Sequence, residues 1–103
     1  MHIYNITFTL EKELEPEIIS WLREEFIPRS VTADGEYFGS AELLRVGHTL
    51  EPGTANLALH LRTDEAANID DWYADRGCAL FDAMLKRWPE RVVYFPTLLE
   101  VIE

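Results

Sequence analysis

The chain has 103 residues, 48% of them hydrophobic and 12% aromatic, which is enough apolar mass for one packed domain and too much for a disordered chain or a coiled coil. Nineteen acidic residues against nine basic ones give a formal charge of -10, and such a surface repels phosphate, so nucleic acid and anionic membranes are set aside as partners. The single cysteine, Cys78, rules out an intramolecular disulfide.

Residues 2–10 alternate with period two. Tyr4, Ile6, Phe8 and Leu10 fall on one face, and Ile3, Asn5, Thr7 and Thr9 on the other. The first face is the one to bury against helices. The opening has no basic region and no cleavage site, and no apolar run approaches the length of a membrane span. A cytoplasmic protein is the expectation.

A helix is predicted to start near residues 14–16, where Pro16 suits the first turn and the acids around it suit the positive end of the helix dipole. Ile18, Ile19, Leu22 and Phe26, with Trp21 beside them, form its apolar stripe, and Pro28 should end it. After a loop centred on Asp34–Gly35, strands are predicted over residues 38–48 and 54–62, joined by a turn at Glu51–Pro52–Gly53. Pairing Leu50 with Thr54 would set Leu44 opposite His60 and Glu42 opposite Arg62.

A second helix is predicted over residues 65–88, capped by Asp64 or Asn68, with a possible break at Gly77 and a stop at Pro89. Its packing residues are Ile69, Trp72, Tyr73, Leu80, Phe81, Met84, Leu85 and Trp88. Cys78 lies inside this run and reads as a buried, unreactive thiol. A last strand over residues 91–102 contains Pro96, which cannot donate to a ladder and points to an edge strand, a bulge or a bend. The order βαββαβ in one 103-residue domain is that of a ferredoxin-like α+β fold: an antiparallel four-stranded sheet with two helices on one face.

The segments Ile3–Tyr4–Asn5–Ile6–Thr7, Ser40–Ala41–Glu42–Leu43–Leu44–Arg45–Val46, and the ending from Arg91 through Tyr94–Phe95–Pro96–Thr97 to Val101 resemble a family of small bacterial proteins classed as a domain of unknown function. That family is similar in outline to the dimeric α+β barrel superfamily, which includes small monooxygenases, dehalogenating and decarboxylating enzymes, and members with no assigned reaction. The resemblance implies fold and dimerisation and supplies no catalytic residue. The residues agree with a dimer. The uncovered sheet face would carry Ile3, Asn5, Thr7, Leu44, Val46, Ala58 and His60, a mixed surface too apolar to stand alone in water. The tail from Thr97 to Ile102 could cross to a second copy, and the product would be a dimeric α+β barrel.

The polar residues of that face are the one constellation with chemical potential. His60 is the candidate base or hydrogen-bond donor, and Asn5 a candidate for orienting a carbonyl or an oxyanion. Both could equally bond across the sheet as structural groups. Thr7 and Asn56 would lie nearby, and Tyr94 could close a pocket. His48 and Arg45 lie near the hairpin but on opposite faces. His2, His48 and His60 have no ligand-like spacing, and no glycine run makes a phosphate loop, so neither a metal nor a cofactor is expected. Two readings stay open: a non-enzymatic homodimer that binds a small molecule or a protein, and a cofactor-independent enzyme acting on a hydrophobic carbonyl or aromatic substrate. The enzyme reading predicts an enclosed pocket of roughly 300 Å³ or more with His60 and Asn5 on its wall. An exposed Trp72 or Trp88 would mark a contact surface instead.

Overall fold

The computed structural model describes residues 1–47 and 51–103. Four strands form one antiparallel sheet in the order β2-β3-β1-β4: β1 (His2–Glu11), β2 (Ser40–Arg45), β3 (Thr54–Thr63) and β4 (Val92–Glu100). Two helices cover one face. Helix α1, residues 15–30, joins Glu15–Trp21, a π-helical turn Leu22–Phe26 and Ile27–Ser30. Helix α2, residues 67–87, joins Ala67–Trp72, a second π-turn Tyr73–Gly77 and Cys78–Arg87. The α+β architecture and the placement of both helices on one face follow the expectation. The barrel does not: β2 and β4 are separate free edges, and the sheet is open. A twisted four-stranded sheet is too narrow to bring its own edges together.

The core lies between sheet and helices. Ile6, Phe8 and Leu10 from β1 and Leu57, Leu59 and Leu61 from β3 meet Ile18, Leu22 and Phe26 from α1 and Trp72, Phe81 and Met84 from α2. Trp72 is fully buried among Tyr4, Phe26, Phe38 and Phe81. Its indole Nε1–H donates to Ser30 Oγ at 3.1 Å, and the Ser30 hydroxyl donates to the Phe26 carbonyl at 2.8 Å. Both buried polar groups are therefore satisfied inside an apolar environment, where an orphan would be costly. Trp72 and Trp88 are both core residues and mark no contact surface.

Several local expectations shift. Pro28 does not end α1, which runs on to Ser30. The π-turn just before it shifts the ladder, with the Ile27 N–H bonding the Leu22 carbonyl, next to the place where proline has no hydrogen to give. Neither Asp64 nor Asn68 caps α2. Asn68 sits in its first turn and donates from Nδ2 to Thr63 Oγ1 at 3.0 Å and to the Tyr37 carbonyl at 3.4 Å, tying the loop before β2 to the helix. The β2–β3 register differs by two residues from the expected one: Leu44 faces Ala58, Glu42 faces His60 and Ser40 faces Arg62. An even slip leaves every side chain on its predicted face. The turn that set the register runs through residues 48–50, outside the described residues.

Pro96 lies in an edge strand without bulge or bend, and β4 pairs with β1 from Val92 to Glu100. The bonds Glu11 N–H to Arg91 carbonyl and Val101 N–H to Met1 carbonyl show that odd-numbered residues of β4 face β1. Even-numbered ones, Pro96 included, turn their backbone outward, so its missing hydrogen costs no bond within the sheet. The tail expected to cross to another copy instead completes this chain's own sheet, with Leu98 opposite Tyr4 and Leu99 opposite Ile3.

Candidate functional site

The side of the sheet away from the helices is uncovered. The registers line up its residues in rows across the four strands in the order β2, β3, β1, β4. Glu42, His60, Asn5 and Thr97 form a polar row through the middle. On one side of it run Ser40, Arg62, Ile3 and Leu99; on the other run Leu44, Ala58, Thr7 and Phe95. Beyond these, Asn56, Thr9 and Val93 continue the face. The polar row is thus bracketed by apolar positions, and Phe95, 62% exposed, is the most solvated of them inside a strand.

Asn5 and His60 are directly opposite each other on the two central strands, as the alternation of β1 and β3 implied. His60 is half-buried. Asn5 donates from Nδ2 to Thr7 Oγ1 at 3.2 Å, and its Oδ1 is buried without a partner. Thr9 Oγ1 donates to Asn56 Oδ1 at 2.6 Å. An unpaired buried acceptor beside an imidazole is a group prepared to change partners. Glu42 and Thr97 extend the row at positions that sequence reasoning did not assign to the site. The signal for Glu42 was its parity with Leu44; the expected register placed it against Arg62.

Other candidates fall elsewhere. Tyr94 points to the helix side and stacks on Phe81 with ring centroids 4.0 Å apart, so it closes no pocket over His60. Arg45 Nε donates to Glu15 Oε1 at 2.7 Å, an exposed pair remote from the polar row. His2 belongs to the helix-facing set of β1, and its Nδ1 is buried and unpaired. His48 lies outside the described residues. Among the described residues, no group of three or more His, Cys, Asp or Glu side chains could hold a metal ion. The expected enclosed chamber is not what surrounds His60 and Asn5, which stand on an open face.

Cys78 is exposed, not buried. With Tyr73, Phe81, Leu85 and Tyr94 it lines a recess of about 420 Å³ between α2 and β4. Tyr73 and Leu85, expected in the core, are exposed at its rim. The Cys78 thiol beside Tyr73, as hydrogen-bond partner and then as a charge, pushes the phenol above its ordinary range.

A family model described as a domain of unknown function (DUF4286) matches residues 1–102. The chain belongs to that family. No curated protein matches this DUF4286 domain in sequence. Solved structures share its fold at low identity. An "ethyl tert-butyl ether d (ethd) family protein" from Bacillus halodurans superposes with a TM-score of 0.67 at 13% identity, covering 99% of this chain and 100% of that one. A putative antibiotic biosynthesis monooxygenase from Bacillus cereus gives 0.65 at 14% identity, covering 99% and 93%. A dimeric ferredoxin-like protein from an uncultured marine organism gives 0.56 at 8% identity, covering 99% and 96%. These likenesses establish the ferredoxin-like fold. No helix among the described residues is long and apolar enough to cross a membrane.

Proposed function

We propose that the open sheet face is a cofactor-independent catalytic surface for a small hydrophobic molecule bearing a carbonyl or an aromatic ring. The observation that carries this reading is the Glu42–His60–Asn5–Thr97 row, a base and hydrogen-bonding groups crossing the middle of an otherwise apolar face. His60 takes a proton from the substrate carbon next to the carbonyl, and Asn5, after releasing Thr7, holds the carbonyl oxygen. The fold shared with a putative monooxygenase supports this class of role without assigning a reaction.

The same face is where a second copy sits. Leu44, Val93, Phe95 and Leu99 are exposed there, and the β4 edge offers a partner strand no hydrogen at Pro96, so association goes through the face and not the edge. A solved protein of the same fold is itself described as dimeric. Light scattering should give twice 11.9 kDa, and Ala58→Arg, at the centre of the face, should return it to the monomer mass. A wild-type monomer at micromolar concentration refutes the dimer.

Acetophenone is a suitable probe of the chemistry, because deuterium exchange at its methyl group reports proton abstraction directly. The wild type should speed that exchange and His60→Ala should abolish the gain. Saturable shifts of the Asn5, His60 and Thr97 amides without faster exchange would favour the second reading, a ligand-binding homodimer without turnover. Shifts confined to other surfaces would refute both.

A further inference from the structure

A second cleft lies on the solvent side of the helical layer, where the π-turns of α1 and α2 stand at the same level. Its volume is about 320 Å³, within the range of small-ligand sites. The floor is apolar, formed by the exposed edge of Trp21 with Leu80 and Ala83. The rim carries charges of both signs: Arg29 and Glu25 from α1, Arg76 and Asp75 from α2. Arg29 Nη2 is 3.1 Å from Glu25 Oε2. Arg76 Nε is 3.4 Å from Asp75 Oδ2, while its Nη1 donates to the Arg29 carbonyl at 3.0 Å and its Nη2 reaches Glu36 only at 3.9 Å. Asp75 Oδ2 also accepts the Tyr37 hydroxyl at 2.6 Å.

We propose that this cleft binds an apolar α-amino acid, its side chain on Trp21, Leu80 and Ala83, its carboxylate on Arg29 and Arg76, and its ammonium on Glu25 and Asp75. The argument is one of charge balance. The rim is neutral as a whole, and its ion pairs are exposed, so each contributes little and is readily exchanged for an equivalent partner. A singly charged ligand that displaces one member leaves the other unmatched. A zwitterion replaces both. The Arg76 fork, held by the Arg29 carbonyl and with one poor partner in Glu36, has a donor pair to offer a carboxylate. The apolar floor then selects the side chain. This cleft and the sheet face are on opposite sides of the domain, so the inference stands apart from the reading of His60 and Asn5.

Titration of the isotope-labelled protein with L-phenylalanine tests it. Saturable shifts of the Trp21 indole and of the Ala79 and Ala83 amides are expected, with a dissociation constant on the order of 1 mM. Phenethylamine and 3-phenylpropanoate, each with one of the two charges, should bind at least about tenfold more weakly. Arg76→Gln should weaken the amino acid by a similar factor, and Ala83→Leu, which fills the floor and leaves every charge in place, should abolish binding. Equal binding of 3-phenylpropanoate, shifts elsewhere, or no saturation by about 20 mM overturns the proposal.

Discussion

Replacing Gly77 with alanine sets two quantifiable effects against each other. Gly77 is in the second half of a helix, where alanine alone would add about 1 kcal/mol. A Cβ there would lie 2.6, 2.7 and 2.9 Å from Cζ3, Cη2 and Cε3 of Trp72. Ordinary carbon contacts are about 3.5–4.0 Å, so the methyl would overlap the ring by roughly 1 Å. The ring cannot yield freely, because it is fully buried, ringed by aromatics and anchored through Nε1 to Ser30. Overpacking costs about 1–3 kcal/mol, and a ring shift that breaks the Ser30 bond adds about 1–3 kcal/mol. The balance is a net loss of about 2 kcal/mol, which for a domain of this size lowers the melting temperature by about 10 °C. Urea and thermal unfolding by circular dichroism measure it, with Ala79→Gly on the exposed side of the same helix as the propensity control. A Gly77→Ala protein that is more stable than wild type by the propensity gain would refute the close approach of Trp72.

Other outcomes follow from single sites. Glu90 holds φ at 61°, a left-handed conformation that favours glycine, so Glu90→Gly should stabilise the fold by about 1 kcal/mol in urea melts, and a loss would contradict a backbone origin. Cys78 should react with a thiol reagent in the native protein at a rate close to that of the unfolded chain, and protection of many orders of magnitude would place it in the core. The Tyr37 hydroxyl is held above the ordinary tyrosine range, first by its bond to Asp75, then by burial and by Glu36. The unfolded phenol loses its proton near pH 10, before the folded one, so this contribution is complete below about pH 10 and is lost as pH rises beyond it. Between pH 8 and 11 the urea midpoint should fall less in Tyr37→Phe than in wild type, and equal falls would refute the assignment.

How far the chain could be read depended on which periodicity each part obeys. On the strands, period two is robust. His60 and Asn5 reached the same face and adjacent strands even though the hairpin register moved by two, because parity survives an even slip. The helices were harder, because each contains a π-turn, and an extra residue rotates everything after it. In α2 the core sequence runs Ile69, Trp72, then Gly77, Leu80, Phe81 and Met84, and the step of five from Trp72 to Gly77 is the visible trace of that turn. Treating the helix as one uninterrupted stripe placed Tyr73 and Leu85 in the core. Cys78 went inside on a different ground, the general tendency of cysteine to be buried, which says nothing about the face it occupies. In α1 the buried residues Ile18, Leu22, Phe26 and Ser30 recur every four positions, slower than an α-helix turns, and the same device reconciles them. The missing chamber has another cause: whether an open face becomes a lined site depends on what covers it, and one chain's pattern does not carry that.

The outward nitrogen of Pro96 bears on how copies of this molecule can multiply. Growth of a sheet by lateral addition, the route to filaments and insoluble aggregates, needs an uninterrupted series of donors along a margin. One margin here is broken at its centre and the other is six residues long. As a building unit the domain stacks but does not string together, so the sticky surface needed for association can be retained without the polymer that an equally apolar strand at an unprotected margin would invite.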